Sequence, residues 1–188
     1  MLTQGIHHVA YRCRDVKETI QFYKDALEMD LLLAISEDHV PSTKEPNPYM
    51  HIFLDAGRGN VLAFFELPDS PPQGRDENTP AWVQHLAFQV EDVATLERTR
   101  AKLLGMGIEV VGPTNHEIFQ SIYLHDPNGH RIELAANTVK PGQLEKLREL
   151  APAMIEEWSQ TRRTVRHAAW LHEKEFAQAG ESAAHSSN

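Results

Sequence analysis

The chain has 188 residues, 41% hydrophobic and 24% charged, a globular balance that excludes disordered and fibrous classes. Eighteen Lys and Arg against 27 Asp and Glu leave a net charge of −9, which excludes nucleic acid as the main partner because no concentrated basic face is available. No apolar run approaches the ~20 residues of a membrane helix, and no secretory signal is visible at the N-terminus. A single cysteine, Cys13, cannot form an intrachain disulfide, so the expectation is a cytoplasmic protein with no membrane partner.

Two stretches repeat at an offset of 77 residues: His8-Val9-Ala10-Tyr11-Arg12-Cys13-Arg14-Asp15-Val16 and His85-Leu86-Ala87-Phe88-Gln89-Val90-Glu91-Asp92-Val93. In each, alternation predicts a strand, with Val9, Tyr11 and Cys13 on one face and Leu86, Phe88 and Val90 on its counterpart. A helix follows both times. Asp15 is placed as N-cap with Glu18 three residues on, ahead of Ile20, Tyr23, Ala26 and Leu27 at helical intervals. Asp92 caps the second helix, Leu96, Leu103 and Leu104 form its stripe, and Gly105 ends it.

Strands then resume at 31–35, 51–55 and 61–67 in the first copy. In the second they resume at 108–111, 120–125 and 130–135, with Asp126-Pro127-Asn128-Gly129 as the hairpin turn. The expected fold class is therefore α+β. Two tandem βαβββ modules, residues 5–67 and 83–137, are joined by a proline-rich linker at 68–82 and form a pseudo-twofold metal cleft. A C-terminal extension at 141–178 reads as amphipathic helices that cover a sheet face or contact another subunit.

The repeat places His8 and His85 at equivalent first strands. Matching Phe64-Phe65-Glu66-Leu67 to Arg131-Ile132-Glu133-Leu134 makes Glu66 and Glu133 correspond. Two histidines and one or two carboxylates from equivalent strands suit a divalent metal. A repeat kept only for packing has no reason to preserve an inward polar His and Glu.

The paired His-x-Ala-x-x-x-x-Asp-Val starts, together with the segment Ser121 to Leu134, resemble the vicinal oxygen chelate superfamily over residues 5–137. Within it, the pattern through His116, Tyr123, Asp126-Pro127-Asn128-Gly129 and Glu133 is similar to the extradiol ring-cleaving dioxygenase signature. That resemblance implies a metal triad of His8, His85 and Glu133 holding Fe(II), with Mn(II), Ni(II) or Zn(II) as other ions of the right type. It implies a small catechol-type aromatic substrate and O2, with His116 steering the substrate, Tyr123 hydrogen-bonding a ring oxygen and His51 as the acid–base. It also implies a homo-oligomer. If Glu66 were a fourth ligand, the resemblance would point instead to a glyoxalase-like isomerase, epimerase or lyase. The same superfamily contains non-enzymatic drug-binding resistance proteins. His7, His39, His125, His130, His167, His172 and His185 are read as solvated or structural, Cys13 as a buried apolar group and Trp158 and Trp170 as packing residues.

Overall fold

The computed structural model describes residues 2–74 and 76–171. The first module runs β1 (Val9–Cys13), α1 (Val16–Leu27), β2 (Leu31–His39), β3 (Pro46–Asp55) and β4 (Val61–Glu66). The second runs β5 (Leu86–Val90), α2 (Val93–Gly105), β6 (Val111–Asn115), β7 (Phe119–His125) and β8 (Arg131–Asn137), followed by α3 (Gln143–Thr161). Both sheets have the same order, β1-β4-β3-β2 and β5-β8-β7-β6, with the first strand parallel to the last and the other neighbours antiparallel. The α+β class and the paired modules are as the repeat predicts.

The helices begin where their caps say. Asp15 and Asp92 are both extended, and their side chains accept the backbone N–H of Glu18 at 2.8 Å and of Thr95 at 2.7 Å. Each helix buries one face on its sheet, through Thr19, Tyr23 and Ala26 in α1 and through Leu96 and Leu103 in α2.

Alternation sorts the strands into two faces. Ile52, Leu54, Leu62 and Phe64 of the first module join Ile122, Leu124, Ile132, Leu134 and Ala136 of the second in one continuous core. The contact between modules is therefore made on the helix side. It is reinforced by Tyr23, whose hydroxyl donates to Asp126 at 3.2 Å, by Asn128, whose side chain accepts the Arg14 N–H at 3.0 Å, and by His130, whose Nε2 lies 2.7 Å from the Arg12 carbonyl. The opposite faces carry His51, Phe53, Ala63 and Phe65 in one module and Ser121, Tyr123, Glu133 and Ala135 in the other.

Four local expectations change, the first being that the strand expected at 51–55 begins five residues earlier, at Pro46. The strand expected at 108–111 begins at Val111 instead and runs to Asn115, through Gly112 and Pro113. Gly112 sits at φ 106° inside a register irregularity opposite β7, a conformation that only glycine adopts easily. The polar residues from Ser36 to His39 extend β2 because it is an exposed edge strand, where no apolar side chain is required. Finally, α3 covers no sheet face. None of its residues is buried, Ile155 is 68% exposed and Trp158 47%. Residues 172–178 of the expected extension, with His172 and His185, lie outside the described residues.

Candidate metal centre

The second module assembles a polar cluster on its outer face. His85 lies just before β5, and its Nδ1 sits 3.0 Å from the Val83 carbonyl. A carbonyl only accepts, so Nδ1 carries a proton and leaves Nε2 to face the carboxylate. Nε2 lies 2.8 Å from Glu133 Oε2. A carboxylate oxygen only accepts, so this contact needs either a second imidazole proton or a cation between the two atoms. Imidazole and carboxylate are ligand types that would hold a divalent ion at this contact.

Behind it, Glu133 is only 4% exposed and Ser121 fully buried, and Ser121 Oγ donates to Glu133 Oε1. Tyr123 donates its hydroxyl to the same oxygen at 3.1 Å and lies 2.9 Å from His116 Nε2. Burial first, then the Glu133 charge, raises the pKa of Tyr123, so the phenol stays protonated and remains a donor. With its proton directed at Glu133, the phenol oxygen accepts from the His116 ring. Arg131 lies over the Tyr123 ring at 4.3 Å.

The first module is different in kind. The His51 ring stacks on Phe65 at 3.6 Å between centroids, lies 4.1 Å from Phe53, and is 6.2 Å from the ring of His8. His51 is 9% exposed and its Nε2 has no hydrogen-bond partner. Burial, with the nearby His8 ring adding to it, lowers its pKa, so it is a neutral imidazole at pH 7.

Strand register corrects the expected pairing of carboxylates. Val9 pairs with Leu62 in the first module and Leu86 with Ile132 in the second, so the residue equivalent to Glu133 is Ala63. Glu66 stands three positions further on, and three is odd. A side chain displaced by an odd number changes face. Glu66 accordingly turns to the helix side, where Oε2 accepts the Val16 N–H at 2.7 Å. The same register makes Ser121 equivalent to His51 and Tyr123 to Phe53, so the module that lacks the carboxylate also lacks its two donors.

The other expected residues divide by module. His85, His116, Tyr123 and Glu133 are brought together in the second, His8 and His51 in the first. Among the described residues, no three His, Cys, Asp or Glu side chains converge closely enough to hold a metal ion. Sequence reasoning missed Ser121 and Ala63. Ser121 was within reach, since it lies two residues before Tyr123 on one strand and must share its face. Cys13 is buried, and burial pushes its thiol up to about 11, so it is no nucleophile.

Residues 5–134 match the model of the Glyoxalase/Bleomycin resistance protein/Dioxygenase superfamily. The chain belongs to that superfamily. It is 28% identical over 166 residues to the metallothiol transferase FosB of Staphylococcus saprophyticus, spanning 87% of this chain and 97% of the relative. It is 32% identical over 133 residues to the lactoylglutathione lyase of Haemophilus influenzae, spanning 70% of this chain and 92% of that protein. In structure it is similar to a glyoxalase family protein from Enterococcus faecalis, with a TM-score of 0.54, 26% identity, and coverage of 72% of this chain and 99% of the other. The superfamily placement stands as expected. The relatives are named as a transferase and a lyase, so the expected affinity to catechol dioxygenases gains no support from them.

Proposed function

We propose that this protein is a metal-dependent transferase or lyase acting on a small molecule that binds through oxygen atoms to a divalent ion. His8, His85 and Glu133 would hold the ion. The observation that carries the reading is the 2.8 Å approach of His85 Nε2 to Glu133 Oε2, with Glu133 already held from behind by Ser121 and Tyr123. A divalent ion there supplies Lewis acidity to a bound oxygen. Tyr123 and His116 place a protonated hydroxyl and an imidazole ring beside the site, suited to binding and orienting an oxygen that gains charge. If a second copy brought its first module to the centre, His51, beside His8, would offer a neutral nitrogen lone pair able to hold a substrate proton.

Because the outer faces of the two modules point away from their common core, His8 would have to reach this centre from a second copy of the chain. Each pair of chains would then form two centres, each combining one copy's first module with the other's second. Ala63 in place of a carboxylate leaves no second acidic ligand and no carboxylate base at the equivalent position of the first module, which favours group transfer over isomerisation by proton transfer. One observation keeps a second reading in play. His116, Tyr123 and Glu133 form a continuous hydrogen-bonded line, the trio that the extradiol signature singles out. In that reading the ion is Fe(II), and the substrates are a small aromatic diol and O2.

Metal titration of purified protein tests the centre, and His8→Ala, His85→Ala and Glu133→Ala should each lose the ion. If all three keep full metal content, the proposal is wrong. Mixed pairs test the sharing. His8→Ala and Glu133→Ala chains each bind no metal alone, but co-expressed they should recover one intact centre per mixed pair. A centre contained in one chain gives no recovery. Oxygen uptake by Fe(II)-loaded protein with a panel of catechols decides for the second reading; thiol-dependent consumption of an electrophile without oxygen uptake decides for the first.

A further inference from the structure

We infer that Ser121 is a positioning residue that restricts Glu133 to binding metal through Oε2 alone; the inference rests on the metal-centre reading of His85 and Glu133. A carboxylate can engage an ion through one oxygen or both. Each oxygen has two lone-pair directions. Both directions of Glu133 Oε1 are occupied, one by Ser121 Oγ and one by the Tyr123 hydroxyl, while Oε2 faces His85 Nε2. Binding through one oxygen keeps a coordination position open for substrate.

The burial of Ser121 makes a packing role a poor account of the hydroxyl. It is 0% exposed, and a buried hydroxyl is worth its desolvation only when hydrogen-bonded. The hydroxyl donates to Glu133. The first module supplies an internal control. There the carboxylate position is Ala63, and the positions of Ser121 and Tyr123 carry His51 and Phe53. The donors occur with the acid and are absent where it is absent. Gly112 adds a backbone restraint, since a Cβ at that residue would lie 2.7 Å from the Ser121 carbonyl oxygen. The close approach of β6 fixes the strand segment from which the hydroxyl projects.

The test uses the full chain and Co(II) alone, read by chelator competition and by the visible absorption of bound Co(II). Ser121→Ala should keep its far-ultraviolet circular dichroism and bind Co(II) about 10–100-fold more weakly, the usual cost of losing a partner that orients a ligand. Its visible bands should also weaken, because Glu133 then adds its second oxygen and raises the coordination number. Ser121→Thr, which restores the hydroxyl, should recover both properties. If Ser121→Ala fails to fold, Ser121→Cys, close in size with a weak donor, carries the same expectation. Wild-type affinity and spectrum in Ser121→Ala or Ser121→Cys would overturn the role of Ser121. Wild-type Co(II) affinity in Glu133→Ala would instead overturn the metal-centre reading itself.

Discussion

Replacing Glu66 separates a helix-capping role from a metal-binding one. In the structure its carboxylate accepts the first N–H of α1, that of Val16, at 2.7 Å, while Asp15 accepts the Glu18 N–H at 2.8 Å. These are among the four N–H groups at a helix start that have no partner inside the helix. Glu66→Ala leaves the Val16 N–H unpaired and removes a negative charge from the positive end of the helix. A lost cap costs about 0.5–2 kcal/mol, and the charge–dipole contribution about 0.3–1 kcal/mol. Both groups are half-buried, so water replaces part of the loss, and we expect a net cost of about 1–2 kcal/mol. At about 2–4 °C per kcal/mol for a chain of this size, the melting temperature should fall by roughly 2–8 °C. Glu66→Gln, whose amide oxygen still accepts, should lose less. The melts should be run metal-free, because ligand binding shifts apparent stability, with metal affinity titrated separately and expected to be unchanged. A Glu66→Ala protein that keeps its melting temperature and loses its metal would refute the assignment.

Three further outcomes follow from particular residues. Alkaline stability should depend on Cys13: its folded pKa is about 11 against an ordinary 9.0, so between those values the unfolded chain releases a proton that the folded chain keeps. Stability then falls as pH rises through that window, by on the order of 2–3 kcal/mol, and urea unfolding at pH 8 and pH 10.5 should show a steeper loss in the natural chain than in Cys13→Ala. Gly112→Ala should be strongly destabilising, by at least about 1–3 kcal/mol, because φ is 106° and the new Cβ meets the Ser121 carbonyl at 2.7 Å; calorimetry showing an unchanged transition would contradict the close approach. Deleting residues 139–188 should leave the body of the protein folded, with a melting temperature within about 2 °C of the full chain, since α3 buries none of its residues; a collapse of the transition would show that the helix holds the sheets together.

Much of the architecture is written locally and was legible in order along the chain. Alternation of apolar residues in Val9–Cys13 and Leu86–Val90, the capping aspartates Asp15 and Asp92, and the turn Asp126-Pro127-Asn128-Gly129 each act over a few residues. Their consequences hold whatever the distant chain does. The repeat added the symmetry, and with it the equivalence of His8 and His85. The edge of β6 was less legible, because Gly112-Pro113 reads as a break until the Ser121 backbone is seen lying against it.

What local pattern did not contain was register between distant strands. Glu66 and Glu133 sit in similar apolar surroundings, and the shared Glu-Leu pair invited their alignment. Only the pairing of β1 with β4 and of β5 with β8 shows a displacement of three residues, and parity then sends one carboxylate to the face it shares with Tyr123 and His85 and the other to the start of α1. The same holds for the relation of the modules. Two-faced sheets can meet by either face, and the side on which they meet is set by the total apolar area buried, a sum over Tyr23, Phe64, Leu96, Leu103, Ile122 and Leu134 that no single segment encodes. The sequence by itself determined the modules and the residues capable of ligating a metal. Which of those residues share a face, and which of them one chain can bring together, was decided by tertiary packing, because strand parity and sheet stacking are properties of pairs far apart in the chain.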